Sequence, residues 1–347
     1  MDTKVTRRTF AAAAALAACA VGAPALRAQP RLEKPKIALA VGGKSAFYYL
    51  PLTISEQLGY FKAEGLDLEI SDFAGGARSL QALMGGSADV VNGAYEHTIN
   101  MQSKNQFIQE FVLMGRAPQI SMGVSTKAMP NYKGLADLRG KRIGVSAPGS
   151  STNMVSNLVL SRAGIKAADV SYVGVGTSSG AIAAVRAGQI DAICNTDPVM
   201  TMLEQKGEVK IISDTRTLKG TQEVFGGLMP AACFYAHAEF VKNNPNTCQA
   251  LANAVVRGLK WLQTAGPSDI IKTVPENYLL GDRALYLASF NKIREAIALD
   301  GLITEDGAKT ALRALASFEP SVHPDKIDLA RTYTNEFARR AKEKFKA

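Results

Sequence analysis

The sequence predicts an α/β protein of two similar βαβ lobes, joined where the chain crosses over and back, with a helical C-terminal section. Three observations predict it. One unit occurs twice, over residues 36–92 and 141–195. Each copy opens on a short apolar strand, Lys36-Ile37-Ala38-Leu39-Ala40-Val41 in one and Lys141-Arg142-Ile143-Gly144-Val145-Ser146 in the other. Each ends on an amphipathic helix, a glycine turn and an aspartate: Leu83-Met84-Gly85-Gly86-Ser87-Ala88-Asp89 and Val185-Arg186-Ala187-Gly188-Gln189-Ile190-Asp191. Strand and helix patterns in alternation imply parallel sheets with right-handed crossovers. In open sheets of this kind ligands bind beyond the carboxyl ends of the strands. Two such lobes facing one another form a cleft into which helix N-termini point from both sides.

Residues 1–28 read as a targeting signal and stand outside the fold. Lys4, Arg7 and Arg8 make a positive start, residues 10–21 an Ala-rich apolar stretch, and small residues lead to cleavage between Ala25 and Ala28. Thr6-Arg7-Arg8-Thr9-Phe10 resembles a twin-arginine signal. Leu16-Ala17-Ala18-Cys19 resembles a lipobox, which would make Cys19 a lipid anchor; ordinary cleavage is the preferred reading. No later stretch reaches 18 consecutive apolar residues, so no membrane-spanning helix is expected after the signal. A periplasmic location follows.

Lobe 1 begins over residues 29–120. A strand at 36–41 runs into the loop Gly42-Gly43-Lys44-Ser45-Ala46-Phe47-Tyr48-Tyr49 and a helix over 51–63. The aromatics of that loop stand at a strand's carboxyl end and suit the wall of a ligand pocket or a packed loop equally. A strand follows at 66–70, a turn at Gly75-Gly76-Ala77, a strand at 89–93, a helix opened by Ala94-Tyr95-Glu96-His97-Thr98, and a strand over 107–115. His97 stands alone in sequence and reads as structural. Residues 120–125 cross into lobe 2, assigned to 121–228.

Lobe 2 is organised on a strand at 142–146, a Pro148-Gly149 turn and the run Ser150-Ser151-Thr152 at the head of a helix over 152–163. A helix start holds N–H groups without intrahelical partners, and its dipole favours negative charge. It therefore suits an anion or polar ligand, though Ser and Thr are equally the ordinary caps of such a start. A strand at 170–173, a glycine turn at 176–180 and a strand at 190–194 lead to Asn195-Thr196-Asp197-Pro198. Asn195 and Asp197 are strand-end polar groups that orient a ligand or cap the next helix. Glu96 and Asp197 form a candidate carboxylate pair. After a strand at 209–213 the chain returns to lobe 1 near 225–235, and residues 229–347 carry helices at 246–264, 283–299 and 326–345.

Composition narrows the function. The 347 residues hold 47 % hydrophobic and 20 % charged residues, in the globular range, with a net charge of +9 of which the first 28 residues supply +3. The remaining basic residues are scattered apart from Arg339-Arg340-Ala341-Lys342-Glu343-Lys344, so no nucleic-acid partner is expected. Three scattered histidines offer no metal cluster, and no cofactor is expected. Gly-x-Ser-x-Gly, P-loop and His-Glu-x-x-His motifs are lacking. Cys194, Cys233 and Cys248 remain beyond the signal and are expected to be mostly buried thiols, with one disulfide open.

Several passages together resemble the periplasmic solute-binding proteins of the nitrate/sulfonate/taurine class of ABC importers, whose domain is shared with thiamine-pyrimidine synthases. They are the run from Pro51 to Glu69, Ala82-Leu83-Met84-Gly85-Gly86-Ser87-Ala88-Asp89, Leu138-Arg139-Gly140-Lys141-Arg142-Ile143-Gly144-Val145, and Val185-Arg186-Ala187-Gly188-Gln189-Ile190-Asp191-Ala192. The resemblance spans residues 36–270. It implies a type II periplasmic binding protein fold, two lobes joined by two crossing strands, that closes on a small anionic or aromatic polar ligand and delivers it to an ABC permease as a monomer. By motif position it implies contacts at Tyr48 and Gly76, with Tyr95 nearby, and at Gly149, Ser150, Ser151, Thr152 and Asn195. Phe47, Glu96 and Asp197 complete the candidate set from the residues themselves. Arg78 and Arg116 are candidates for a sulfonate-binding arginine. Two other readings stand beside this one: an enzyme on the same fold, such as a pyrimidine synthase or a lyase, and a ligand-sensing partner of a membrane receptor.

Overall fold

The computed structural model describes residues 31–347; the targeting signal, with Cys19, lies outside them. Ten strands form two five-stranded sheets. The first holds β1 (Lys36–Val41), β2 (Asp67–Asp72), β3 (Val90–Ala94), β4 (Ile108–Leu113) and β10 (Ala232–His237), in the order β2-β1-β3-β10-β4. The second holds β5 (Ile120–Ser125), β6 (Arg142–Val145), β7 (Ser171–Gly174), β8 (Ala192–Thr196) and β9 (Val209–Asp214), in the order β7-β6-β8-β5-β9. The orders match position for position, so the repeat seen in sequence is a repeat of topology.

The sheets are not wholly parallel. β10 runs antiparallel to β3 and β4, and β5 antiparallel to β8 and β9. These are the strands by which the chain returns to lobe 1 and first enters lobe 2, arriving from the opposite direction to the βαβ strands. Each enters next to the innermost strand of the repeat and is buried along nearly its whole length. β3 and β8 beside them are buried at every residue, the polar Asn92 and Asn195 included.

Four helical expectations change. The helix over 51–63 is two helices, Leu50–Gln57 and Tyr60–Ala63, because Gly59 takes a left-handed φ of 70° between them. The 283–299 helix stops at Ile293, with a short turn to Ala296, because the chain then goes extended to pair with the crossing segment: Arg116 N–H donates to the Ala296 carbonyl and Ala298 N–H to that of Met114. The 326–345 helix begins only at Glu336, since the chain before it forms short turns at Pro324–Lys326 and Leu329–Arg331 and then bridges β4 at Tyr333, where Glu110 N–H donates to the Thr332 carbonyl and Thr334 N–H to that of Glu110. A helix at Glu305–Ala316 was not expected, although Thr304 caps it by accepting from Gly307 N–H and two acids occupy its first turn. That is an ordinary N-terminal signature. Among the described residues no helix is long and apolar enough to cross a membrane. Cys194, Cys233 and Cys248 are free and buried.

Two buried ionisable groups shape the energetics. Arg216 follows β9 with its side chain wholly buried. It donates to Asp214 at 2.7 and 2.8 Å and to Glu204 at 2.9 Å, and lies 3.6 Å from Asp197. Lys292, from the C-terminal section, adds a 3.0 Å bond to Glu204. A buried cation surrounded by carboxylates is costly to break from one side, because the stranded partners stay desolvated. Glu110 on β4 is the opposite case: it is fully buried, and neither carboxyl oxygen has a hydrogen-bond partner. Burial pushes its pKa well above the usual carboxylate range, so it is held neutral.

Arg216→Ala is expected to destabilise the fold by about 3–5 kcal/mol in denaturant unfolding; a loss under about 1 kcal/mol would show the network to be solvated. For Glu110 the folded pKa lies above the unfolded one, so its contribution is favourable below the unfolded value and is lost as pH rises through the folded value. Glu110→Gln is therefore expected to raise the melting temperature at pH 8 relative to the parent chain, and least at pH 5; an equal change at both would contradict a buried neutral acid.

Candidate functional site

The carboxyl ends of β1, β2, β6 and β7 carry the loops that meet between the lobes. In lobe 1 these are the loop after β1 and the turn that opens helix Gly76–Met84; in lobe 2, the turn before helix Ser151–Ser161 and the loop after β7. They enclose a cavity lined by Gly42, Ala46, Tyr48, Tyr49, Gly76, Ile120, Ser146, Ser150, Ser151, Thr152, Thr177 and Thr196. The space open to the centre of a water-sized sphere is about 20 Å³, room for one or two waters. The lobes are closed.

Closure at this distance depends on missing side chains. A Cβ on Gly75 would stand 2.9 Å from the Ala147 Cβ and 3.0 Å from the Ala147 nitrogen. On Gly43, whose φ of 101° already excludes most residues, it would stand 2.1 Å from the Thr177 hydroxyl. The two backbones therefore come within reach of direct bonds. Phe47 N–H donates to the Asp197 carbonyl at 3.0 Å, across the lobes.

The three consecutive hydroxyls take three different partners. Ser150 holds the cap position of its helix but makes no side-chain cap. Its Oγ instead accepts from Ala77 N–H at 2.9 Å, one of the unpaired donors at the start of helix Gly76–Met84. Ser151 lies 3.5 Å from the Tyr48 hydroxyl and also against Glu96. Thr152 stays within its lobe: its Oγ1 accepts from Ser146 N–H at 3.0 Å and lies 2.9 Å from the Ser146 hydroxyl. Gly149 donates its N–H to Asn153 Oδ1 at 2.9 Å.

Beneath the lining lie Glu96 and His97, each 3 % exposed. One carboxyl oxygen of Glu96, Oε1, has no hydrogen-bond partner, and neither has His97 Nε2. Burial pushes Glu96 up to about 7, with the Ser151 hydroxyl and its own backbone N–H pulling it part of the way back. Burial pushes His97 down to about 4, so the ring is neutral, although the nearby Gly149 carbonyl favours its charged form. Its Nδ1 is 3.0 Å from the Tyr235 hydroxyl, and its Cε1 would be 3.5 Å from a Cβ on Gly76.

Of the sequence candidates, Tyr48, Gly76, Ser150, Ser151 and Thr152 come together on the cavity, with Glu96 and Gly149 against it. Four do not line it. Phe47 packs its ring on Tyr286 and Phe290. The Tyr95 hydroxyl bonds Thr332 at 2.7 Å inside lobe 1. Asn195 spends its amide on the Gly176 carbonyl and its oxygen on Thr196 N–H. The Asp197 carboxylate accepts from Thr201 N–H at 2.8 Å and faces Arg216, rather than pairing with Glu96. Neither arginine candidate lines the cavity: Arg78 is exposed beside Gln81, and Arg116 donates to the Glu295 carbonyl. Tyr49, Ser146, Thr177, Thr196 and His97 were missed as site residues. Tyr49 had the same signal as Tyr48, an aromatic at the end of β1; His97 gave only its adjacency to Glu96.

A family model described as NMT1/THI5 like matches residues 46–267. A solved structure from Bordetella bronchiseptica RB50 is 59 % identical, covers 92 % of this chain and 100 % of its own, and superposes with a TM-score of 0.90. The alkanesulfonate-binding protein SsuA from Xanthomonas axonopodis pv. citri bound to MOPS is 17 % identical, with 88 % of this chain and 100 % of its own covered and a TM-score of 0.67. The periplasmic nitrate-binding protein NrtA from Synechocystis PCC 6803 is 16 % identical, with 91 % and 90 % covered and a TM-score of 0.66. The last two show the two-lobed periplasmic binding protein fold.

Gly75 has an extended φ of 176°, which any residue can adopt. Gly75→Val is therefore expected to leave both lobes folded and to hold them apart, seen as a larger radius of gyration in solution scattering with an unchanged circular dichroism spectrum. An unchanged radius would show that the turn yields. Ser150→Ala should weaken closure by one hydrogen bond, about 0.5–1.5 kcal/mol, without lowering the unfolding temperature of either lobe.

Proposed function

The chain belongs to the NMT1/THI5-like family, and from that premise we propose that it is the extracytoplasmic solute-binding component of an ABC importer. It captures a small polar ligand between its lobes and hands it to a permease in the inner membrane. The observation that carries this reading is the interlobe cavity itself. Two helix starts, a row of hydroxyls and two tyrosines converge on it from separate lobes, between which the chain passes twice. A ligand that bonds both lobes favours the closed state by its differential affinity for it. The cavity is too small to admit such a ligand while closed, so entry goes through opening.

The N-terminal segment supports export, and the relatives named for sulfonate and nitrate binding support a cargo of similar size. The C-terminal helices pack on lobe 1 and also reach lobe 2, where Lys292 pairs with Glu204. An enzyme on the same fold would use the same cavity, and differs in one observable: it returns product.

A ligand bound only by the native state is expected to raise apparent stability by about 2.7 kcal/mol at a hundredfold excess over its dissociation constant. It should also compact the protein in solution scattering, and be recovered chemically unchanged. Recovery of a converted product would replace the binding-protein reading with the enzyme reading.

A further inference from the structure

We propose that the C-terminal segment 276–296 is an interlobe latch, away from the cavity, that biases the empty protein toward its closed form through Leu280 and Lys292. The latch rests on the opening that the binding reading requires and on no particular ligand. The segment runs through the turn Glu276–Leu279, helix Arg283–Ile293 and the turn Arg294–Ala296. On lobe 1 it is fastened firmly. Tyr286 and Phe290 are buried against Phe47, with ring centroids 4.5 and 6.3 Å away. Arg294 donates to the carbonyls of Leu262, Gln263 and Ala265 at the end of helix Pro245–Thr264. Tyr278 lies beside Thr53.

On lobe 2 the fastening is lighter. Leu280 packs on an apolar cluster that includes Ala181, Ile182, Val185, Val199 and Leu203. Among the described residues it is the one member of that cluster from outside lobe 2. Its φ of 50° is left-handed, a conformation that a bulky side chain keeps only where its surroundings impose it. Lys292 Nζ lies 3.0 Å from Glu204 and 3.7 Å from Asp214, and Glu295 accepts from Leu218 N–H at 3.0 Å. These last contacts stand beside the pivot, because Arg116, on the crossing segment, donates to the Glu295 and Ala296 carbonyls. One helix length, about 16 Å, separates Leu280 from them. A contact beside a pivot tolerates a turn that breaks a contact away from it. Leu280 is only half-buried, and the Lys292 pairs are about a third exposed and open to screening by salt. Both can let go without unfolding either lobe. The fraction closed at rest scales the apparent affinity for any ligand that needs the closed form, so the segment sets affinity without touching the ligand.

The test is the distance distribution between spin labels at Glu69→Cys and Ser171→Cys in the ligand-free protein. Both positions are exposed, on β2 and β7, the matching edge strands of the two sheets. Cys194, Cys233 and Cys248 are buried, and a Cys19→Ser background leaves the two labels alone. Leu280→Asn removes the apolar contact and keeps a residue at ease in the left-handed region. It should raise the open-to-closed ratio about tenfold at an unchanged melting temperature. Lys292→Met should raise it about twofold to fivefold. Raising salt from about 0.05 to about 0.5 M should open the parent chain further and leave Lys292→Met where it is. An unchanged distribution in Leu280→Asn overturns the proposal, and so does a lower melting temperature without a change in distance, which would make the contact one of folding alone. Should Leu280→Asn fail to fold, Lys292→Met and the salt series decide: a parent distribution indifferent to both overturns the latch. None of these outcomes bears on the binding reading, whose own test is recovery of a ligand unchanged.

Discussion

The approach of two backbones without side chains between them is the constraint on which the site depends. Gly43 and Gly75 of lobe 1 stand where a Cβ would strike Thr177 and Ala147 of lobe 2. With ordinary residues there the lobes would stop short. The Ser150 hydroxyl would not reach Ala77 N–H, and Phe47 N–H would not reach the Asp197 carbonyl. Tyr48, Ser151 and Glu96 would likewise face water instead of one another. The hydroxyl run contributes polar groups, but the glycines decide whether those groups share one desolvated space.

That space balances opposed charges. Two helix starts bring partial positive charge to the cavity, since their first N–H groups lack intrahelical partners. Ser150 spends its oxygen on the opposite helix rather than on its own, so lobe 2 relieves part of lobe 1's unpaired start. The bonds across the cavity are few and neutral, worth about 0.5–1.5 kcal/mol each. Moving a two-state equilibrium from one side to the other takes about 5.5 kcal/mol of differential affinity, which a ligand touching both walls can supply. A cleft held by stronger pairs would stay closed with or without its ligand.

Much of this was legible in the sequence. The duplicated strand–helix unit gave two sheets of matching order, because hydrophobic pattern and glycine turns are local signals. The hydroxyl run at a helix start was legible for the same reason, and Ser150, Ser151 and Thr152 do line the cavity. What failed depended on partners far along the chain. Tyr95 is claimed by Thr332, 237 residues away, and Phe47 by Tyr286 and Phe290. Asp197 is claimed by Arg216, an ordinary basic residue until the fold buries it. The stretch around Tyr333 looked helical in isolation; its bridge to Glu110 overrides that preference.

The distribution of strong and weak interactions bears on how such a protein can move at all. Arg216, Asp214, Glu204 and Lys292 form the densest ion-pair network near the lobe boundary, with Arg216 fully buried. Three of the four belong to lobe 2, and Lys292 ties them to the C-terminal section, beside the crossing segment that leaves β9. Desolvated pairs resist rearrangement, because separating them strands buried charge. The network therefore fixes the end of β9 and the helix behind β8, where a hinge needs a firm anchor. Across the cavity mouth the contacts are hydroxyls, amides and bare backbone, which exchange readily with water or ligand. Of the first set only the Lys292 pairs run to the C-terminal section; the Arg216 cluster with Asp214 and Glu204 lies wholly within lobe 2, apart from the weak contacts across the cavity.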